Sequence, residues 1–390
     1  MTTYDWIVIG AGITGASLAY ELSQQNFKVL LLEKDQPPDN ATLYSYGGLA
    51  YWSGTNELTR TLGAEGIELH RHLSSELDAE TEFREVDLVL TIDRQADPEK
   101  IAQSYERFAI APELLSVQDA CTLEPLLNPN AISGVLKLPH GHIQAQKTTA
   151  AYIEAMVRNG GEVLYEKVLD LVRQGDRITA VTTKINTYLG NNTVVCAGGF
   201  SRSLLQQIGL KVNNYFTHAQ LIMTPPVDLE LATVVMPAVQ QRFVLEAQPN
   251  SLELEPMELE NPPNRVILDP GAVQFLDGSL CMGQISAIAD NPHAQFDLAI
   301  AEAQIREQVG NILPLLEEIP GICHHCLVAF NHQGIALVGN LANITGLYLF
   351  SGFTSTLLYA PILARRFAQS QTGKIDQIIE KLQLSLNQQS

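Results

Sequence analysis

Positive charge is scarce in this chain. Across 390 residues, 24 Lys and Arg stand against 43 Asp and Glu, a formal net charge of -19. A surface so acidic repels phosphate backbones and anionic lipid head groups, so nucleic acid is not expected as a partner. Cysteine is sparse as well. Five scattered thiols, an odd number, argue against a disulfide framework and predict reduced cysteines in a cytoplasmic protein. The first six residues contain Asp5 and no Lys or Arg, and the apolar run behind them is short. No secretory leader is expected, and the mature chain is expected to begin near Met1.

Long uncharged runs are nearly absent. The exception is 333–364, long enough to span a bilayer. Asn340, Asn343, Gly346, Gly352, the Thr354 to Thr356 run and Pro361 divide it into loop, strand, turn and helix. It reads as buried core, without stable membrane insertion. The hydrophobic content of 46% suffices for two domains with their own cores.

The N-terminus carries the strongest pattern. Asp5 to Ile9 (DWIVI) reads as a strand, GAGITG follows at once, and Ala16 to Gln25 reads as a helix. Gly10, Gly12 and Gly15 have the spacing of a dinucleotide-binding turn. The first allows the tight turn, the second lets a pyrophosphate approach the backbone, and the third lets helix and strand pack closely. Ile13 and Thr14 lie inside the turn, where free N–H groups of the helix start face phosphate. A second apolar run, Val29 to Leu32, ends at Glu33, placed to accept from ribose hydroxyls, with Lys34 next to it. The fingerprint does not separate NAD from FAD.

Residues 41–49, ATLYSYGGL, resemble the small-residue segment ending in Gly-Gly in the glycine oxidase, sarcosine oxidase and D-amino-acid oxidase family of FAD enzymes. In that family the segment passes the pyrophosphate and flavin, which implies such roles for Thr42, Ser45, Gly47 and Gly48. The resemblance extends along nearly the whole chain. GHIQAQKTTAAYIEAMVRNGGEVL at 141–164 is similar to the helix that re-enters the FAD domain, and VLDLV at 168–172 to a strand touching adenine, which implies Val168. TVVCAGG at 193–199 resembles the strand ending beside the cofactor and implies Ala197, Gly198 and Gly199. GLYLFSGFTSTLLYAPILARRFA at 346–368 resembles the strand and helix aimed at the flavin pyrimidine, and implies Gly352, Phe353, Thr354, Ser355 and Thr356. Negative charge on reduced flavin suits a helix N-terminus, although Thr354 or Ser355 could equally be a helix cap.

The resemblance implies an α/β fold with a Rossmann-type FAD-binding domain, discontinuous in sequence (1–84, 141–212, 327–390). The remainder (85–140, 213–326) would form an α+β substrate domain with a mostly antiparallel sheet, in which Leu88 to Ile92 and Ser279 to Ile285 read as strands. Leu252 to Pro263 reads as an exposed excursion. The implied activity is oxidation of the C–N bond of a small amine, amino acid or N-substituted amino acid. A hydride passes to flavin N5, water hydrolyses the imine, and oxygen or another acceptor takes the electrons. Two alternatives stand beside it: a 2-hydroxy-acid dehydrogenase with an acceptor other than oxygen, and a flavin-binding protein without catalysis.

The family's substrate-binding signals are missing. Val328 occupies the place of a carboxylate-binding Arg, Gln333 and Ala336 replace an Asp and a Pro, and Cys281 falls near the place of an oxygen-side Lys. No catalytic residue is assigned. The substrate-cavity candidates are Tyr51, Trp52, Arg242 and His332. Arg60 and Arg265 are further candidates for a carboxylate clamp, with a surface or structural ion pair as the competing reading for each arginine. Cys323-His-His-Cys326 admits a thioether from Cys326 to FAD, zinc binding, or ordinary packed thiols. Non-covalent FAD and no metal are the expectation.

Overall fold

The computed structural model describes residues 2–239, 266–288, 291–331, 334–341 and 344–387. Arg242, Arg265, His332, Gln333 and the excursion at Leu252 to Pro263 lie outside them.

Two sheets organise the chain. In the first, five strands run parallel, with Thr3–Ile9 in the middle. Val29–Glu33 and then Glu162–Tyr165 lie on one side, Thr187–Val195 and then Leu347–Ser351 on the other. Leu337–Asn340 pairs antiparallel at the edge, and Arg177–Thr182 carries Asp170–Gln174 away from Thr187–Val195. Every residue of Val29–Glu33 is buried, so the run reads VLLL rather than alternating, as a strand covered on both faces must. Helix Ile13–Gln24 packs on this sheet between Ala145–Arg158 and Thr356–Ser370. The uncharged 333–364 run becomes two strands and a buried helix, and no described helix is long and apolar enough to cross a membrane.

The second sheet has nine strands, ordered Ile322–Phe330, Tyr215–Met223, Leu280–Ile288, Val266–Gln274, Val234–Pro237, Arg84–Asp93, Ile132–His142 and Gly48–Leu49, with Glu113–Leu115 on Ile132–His142. Its neighbours are antiparallel apart from Val234–Pro237 against Arg84–Asp93. The mostly antiparallel second sheet is therefore present. One strand is displaced from its expected place: the ladder begins at Asp170, opposite Thr182, so Val168 lies in the loop before it. The tight turn at Gly175, with φ +65°, sets that register.

Helix Thr356–Ser370 contains Pro361. Proline has no N–H, so the Leu357 carbonyl four residues earlier loses its helical partner. His70, on helix Glu57–Leu77, replaces it. Its Nε2 donates to the Leu357 oxygen at 2.8 Å from a fully buried ring. Burial pushes His70 down from 6.5 to about 4, which keeps the ring neutral. Replacing it by Leu orphans the carbonyl and is expected to cost about 1–3 kcal/mol, measured by denaturant unfolding. The sign with pH follows from linkage. The unfolded imidazole protonates first, so His70's contribution falls as pH drops from 6.5 toward about 4, and the Leu variant loses that part of the acid sensitivity.

Candidate active site

The glycine turn is held by close backbone contacts. Gly10 has φ +103°, and a Cβ there would stand 2.6 Å from the Cys196 oxygen. A Cβ on Gly15 would stand 1.9 Å from the Gly10 oxygen. These contacts bring the start of helix Ile13–Gln24 against the ends of two parallel strands. Gly12 caps that helix without a side-chain bond, while the Ile13 N–H donates to the Thr42 hydroxyl at 3.1 Å. Glu33 is buried and accepts from the Ala11 N–H at 2.8 Å, and from Lys34 and Asp35 N–H.

From this turn a cavity of about 1400 Å³ runs between the sheets, larger than the ~300–1,000 Å³ typical of single small ligands. At one end Glu33, Lys34 and Val168 line it, with Lys34 Nζ 5.4 Å from the centre of the Phe200 ring. Gly10, Gly12, Ile13, Thr14, Thr42 and Ser45 follow. Ala197, Gly198 and Gly199 form one wall further along, and Gly352, Phe353, Thr354, Ser355 and Thr356 another, at the start of helix Thr356–Ser370. Ser355, at its N-cap position, makes no side-chain cap bond.

At Gly47 and Gly48 the chain enters the second sheet. Gly47 has φ +73°, its carbonyl accepts from Ile143 N–H at 3.0 Å, and a Cβ there would stand 2.0 Å from the Ile143 oxygen. Gly48 pairs with His142. Beyond this seam lies a mostly apolar chamber walled by Trp52, Leu88, Tyr105, Phe108, Leu221 and Met236. Trp52 packs edge-on to Phe108 with ring centres 5.4 Å apart, and its Nε1–H donates to His140 Nδ1 at 3.2 Å. Burial pushes His140 down to about 4.

The cavity can hold a dinucleotide at one end and a small organic molecule at the other, and comparison with known proteins names the dinucleotide. A family model described as DAO, FAD dependent oxidoreductase, matches residues 5–370. The chain belongs to this family. It is an FAD-dependent oxidoreductase. Among its relatives is a glycerol 3-phosphate dehydrogenase of Caloramator mitchellensis, 28% identical over 231 residues, covering 57% of this chain and 46% of that protein. The matched region thus spans about half of that relative. A glycine oxidase of Geobacillus kaustophilus is 26% identical over 245 residues, covering 59% of this chain and 64% of that protein. The crystal structure of glycine oxidase from Geobacillus kaustophilus superposes with a TM-score of 0.78 at 19% identity, over 97% of this chain and 96% of that one. The likeness of structures is one of fold.

In this DAO-family flavoprotein the expected residues divide clearly. Gly15 and Gly47 do not line the cavity and act through backbone packing. Tyr51 is not a lining residue either. Its ring packs on the core of the first sheet's helices, and burial together with nearby Glu85 raises its hydroxyl. Adjacent residues in a tight 3-10 turn point apart, which is why Trp52 faces the chamber and Tyr51 does not. Arg60 is structural, donating to the Gly54 and Arg107 carbonyls.

Cys326 and Val328 line the cavity, and none of the five cysteines forms a disulfide. The run around Cys326 is split among separate environments. Cys323 joins a core, His324 stacks on Tyr44 at 4.5 Å, and His325 Nε2 lies 2.8 Å from His218 Nδ1.

Among the chamber residues that were not expected are His140, Arg107 and Tyr105. Alternation was the available signal for His140, since LKLPHGH places Leu136, Leu138, His140 and His142 on one face of a strand. Arg107 and Tyr105 sit in an irregular loop with no such signal. Gly47→Ala puts a methyl group against the Ile143 carbonyl and forces a left-handed Ala. Purified variant is expected to carry less than half the wild-type flavin per chain, read as the absorbance of visible flavin against protein.

Proposed function

We propose that this protein oxidises the C–N bond of a small amine, amino acid or N-substituted amino acid in the chamber beyond Gly48. One observation carries the reading: among the described residues the chamber wall is mostly apolar, and its imidazole is no base. Its imidazole, His140, has Nδ1 occupied by the Trp52 N–H. The indole nitrogen only donates, so the neutral ring carries its proton on Nε2 and has no free lone pair. Oxidation of a hydroxy acid calls for removal of an O–H proton. A neutral amine carries its own lone pair, and an apolar chamber disfavours its charged form.

FAD, when bound, supplies the acceptor for the hydride. The rest is done by the chain. Gly10, Gly12, Ile13, Thr14, Glu33, Lys34 and Val168 would seat the adenosine and pyrophosphate. Thr42, Ser45 and Gly48 would carry the cofactor across the seam, with Gly47 holding their backbone in place. Ala197 to Gly199 and Gly352 to Thr356 would line the ring, with the helix start of Thr356–Ser370 facing the side where negative charge gathers. In this reading, segments 1–84, 141–212 and 327–390 form the cofactor-binding unit. Among the described lining residues the cations are Lys34, Lys167 and Arg107. Arg107 lies beside Phe108 at the chamber end, 5.0 Å from the centre of its ring, and is the carboxylate partner we favour.

The test is anaerobic titration of the yellow protein with panels of amines, amino acids and 2-hydroxy acids. Bleaching by an amine or amino acid, with ammonia or alkylamine released in stoichiometric amount, is expected. Bleaching by hydroxy acids alone would replace the reading with the alcohol-oxidising one. A photoreducible flavin that no substrate bleaches would favour binding without catalysis. Acid precipitation in the same preparation decides the cofactor linkage. Flavin is expected in the supernatant, and colour retained in the pellet would assign a thioether to Cys326.

A further inference from the structure

The polar side chains around the chamber are mostly spoken for. Tyr105 OH donates to the Ala238 carbonyl, Ser53 to Ala50, Tyr359 to Thr59, and Gln284 to the Ser286 hydroxyl. His140 differs. It is 4% exposed, yet only its Nδ1 is bonded, by Trp52. Its Nε2 faces Gly48, where an added Cβ would stand 2.6 Å away. His140 also lines the cavity. A protein does not ordinarily keep a buried donor without an acceptor, because the desolvation of that N–H goes unrewarded.

We propose that His140 is a specificity-determining hydrogen-bond donor, whose Nε2–H is fixed in place by Trp52 and recognises an acceptor oxygen, carboxylate or carbonyl, on the substrate. The inference rests on the reading that a small amine or amino acid occupies this chamber, and adds what that substrate must carry. Three features make the donor selective. The indole bond fixes the tautomer, the ring sits on a strand rather than a loop, and its neighbour His142 brings no charge, because burial pushes that ring down to about 3. A site built around such a donor rejects molecules without an acceptor there, since they leave the N–H unpaired. Simple alkylamines are therefore poor substrates, and amines with an oxygen acceptor are good ones.

The experiment uses full-length, FAD-loaded protein and does not depend on turnover. Benzoate serves as an unreactive carboxylate, its binding followed by the change in flavin absorbance. His140→Phe, which keeps the ring shape but not the donor, is expected to raise the Kd for benzoate about 10- to 100-fold, the range of one hydrogen bond to a charged group. Trp52→Phe leaves the imidazole and releases its tautomer, and a smaller rise of several-fold is expected. If His140→Phe fails to hold FAD, Trp52→Phe alone decides. Nitrogen chemical shifts of labelled histidine, assigned by the loss of one resonance set in His140→Phe or its shift in Trp52→Phe, are expected to show protonated Nε2 and bare Nδ1 near pH 7. An unchanged Kd in the variants, no benzoate binding to the wild type, or a proton on Nδ1 would overturn the proposal. Failure of every amine to bleach the flavin would sink the C–N reading while leaving the donor measurements intact, so the two failures are distinguishable.

Discussion

The chain that leaves the first sheet after Glu33 must enter the second without leaving backbone groups unpaired, and it does so where Gly47 and Gly48 lie against the end of Ile132–His142. There is no room at that contact for a side chain: a Cβ on Gly47 would stand 2.0 Å from a carbonyl oxygen and one on Gly48 2.6 Å from an imidazole nitrogen. Because the approach is so close, the chain that leaves Thr42 and Ser45 on the nucleotide side delivers Trp52 to the other side only four residues after Gly48. The cofactor end and the chamber end of one cavity are therefore placed by the same short segment. Wherever the second sheet shifts, that segment must shift with it.

The chemistry of the chamber follows from what its surroundings have already consumed. Hydroxyls and amides around it bond to the protein, and aromatic rings fill the remaining wall. Such a space gives each unpaired polar group unusual weight. A single neutral donor there discriminates among ligands more than a charged one at the open mouth would, because water competes less for it.

Much of this was legible from sequence because the first sheet reports itself locally. DWIVI, GAGITG and VLLLE each state strand, turn and buried strand within a few residues, and the family segments at 41–49 and 346–368 placed the residues that line the cavity. The uncharged 333–364 run was likewise readable as core from its Asn, Gly and Pro punctuation. The chamber was less legible. Whether Tyr51 or Trp52 faces it depends on the phase of a three-residue turn, which neither residue type encodes. His140 was hidden for a different reason: its function depends on an indole 88 positions earlier in the chain, and no local pattern carries that pairing. Arg60 could be read as a clamp or as a structural residue because charge alone was visible, and its guanidinium fastens one loop to another.

Glu33 has a wider consequence. Its carboxylate accepts N–H groups from Ala11 in the glycine turn and from Lys34 and Asp35 beyond its own strand. Those bonds are made among protein groups alone, so the corner where two parallel strands end is closed by the fold itself rather than by a nucleotide. Any change at Glu33 therefore loosens the glycine turn and the end of its own strand together, because one carboxylate fastens both.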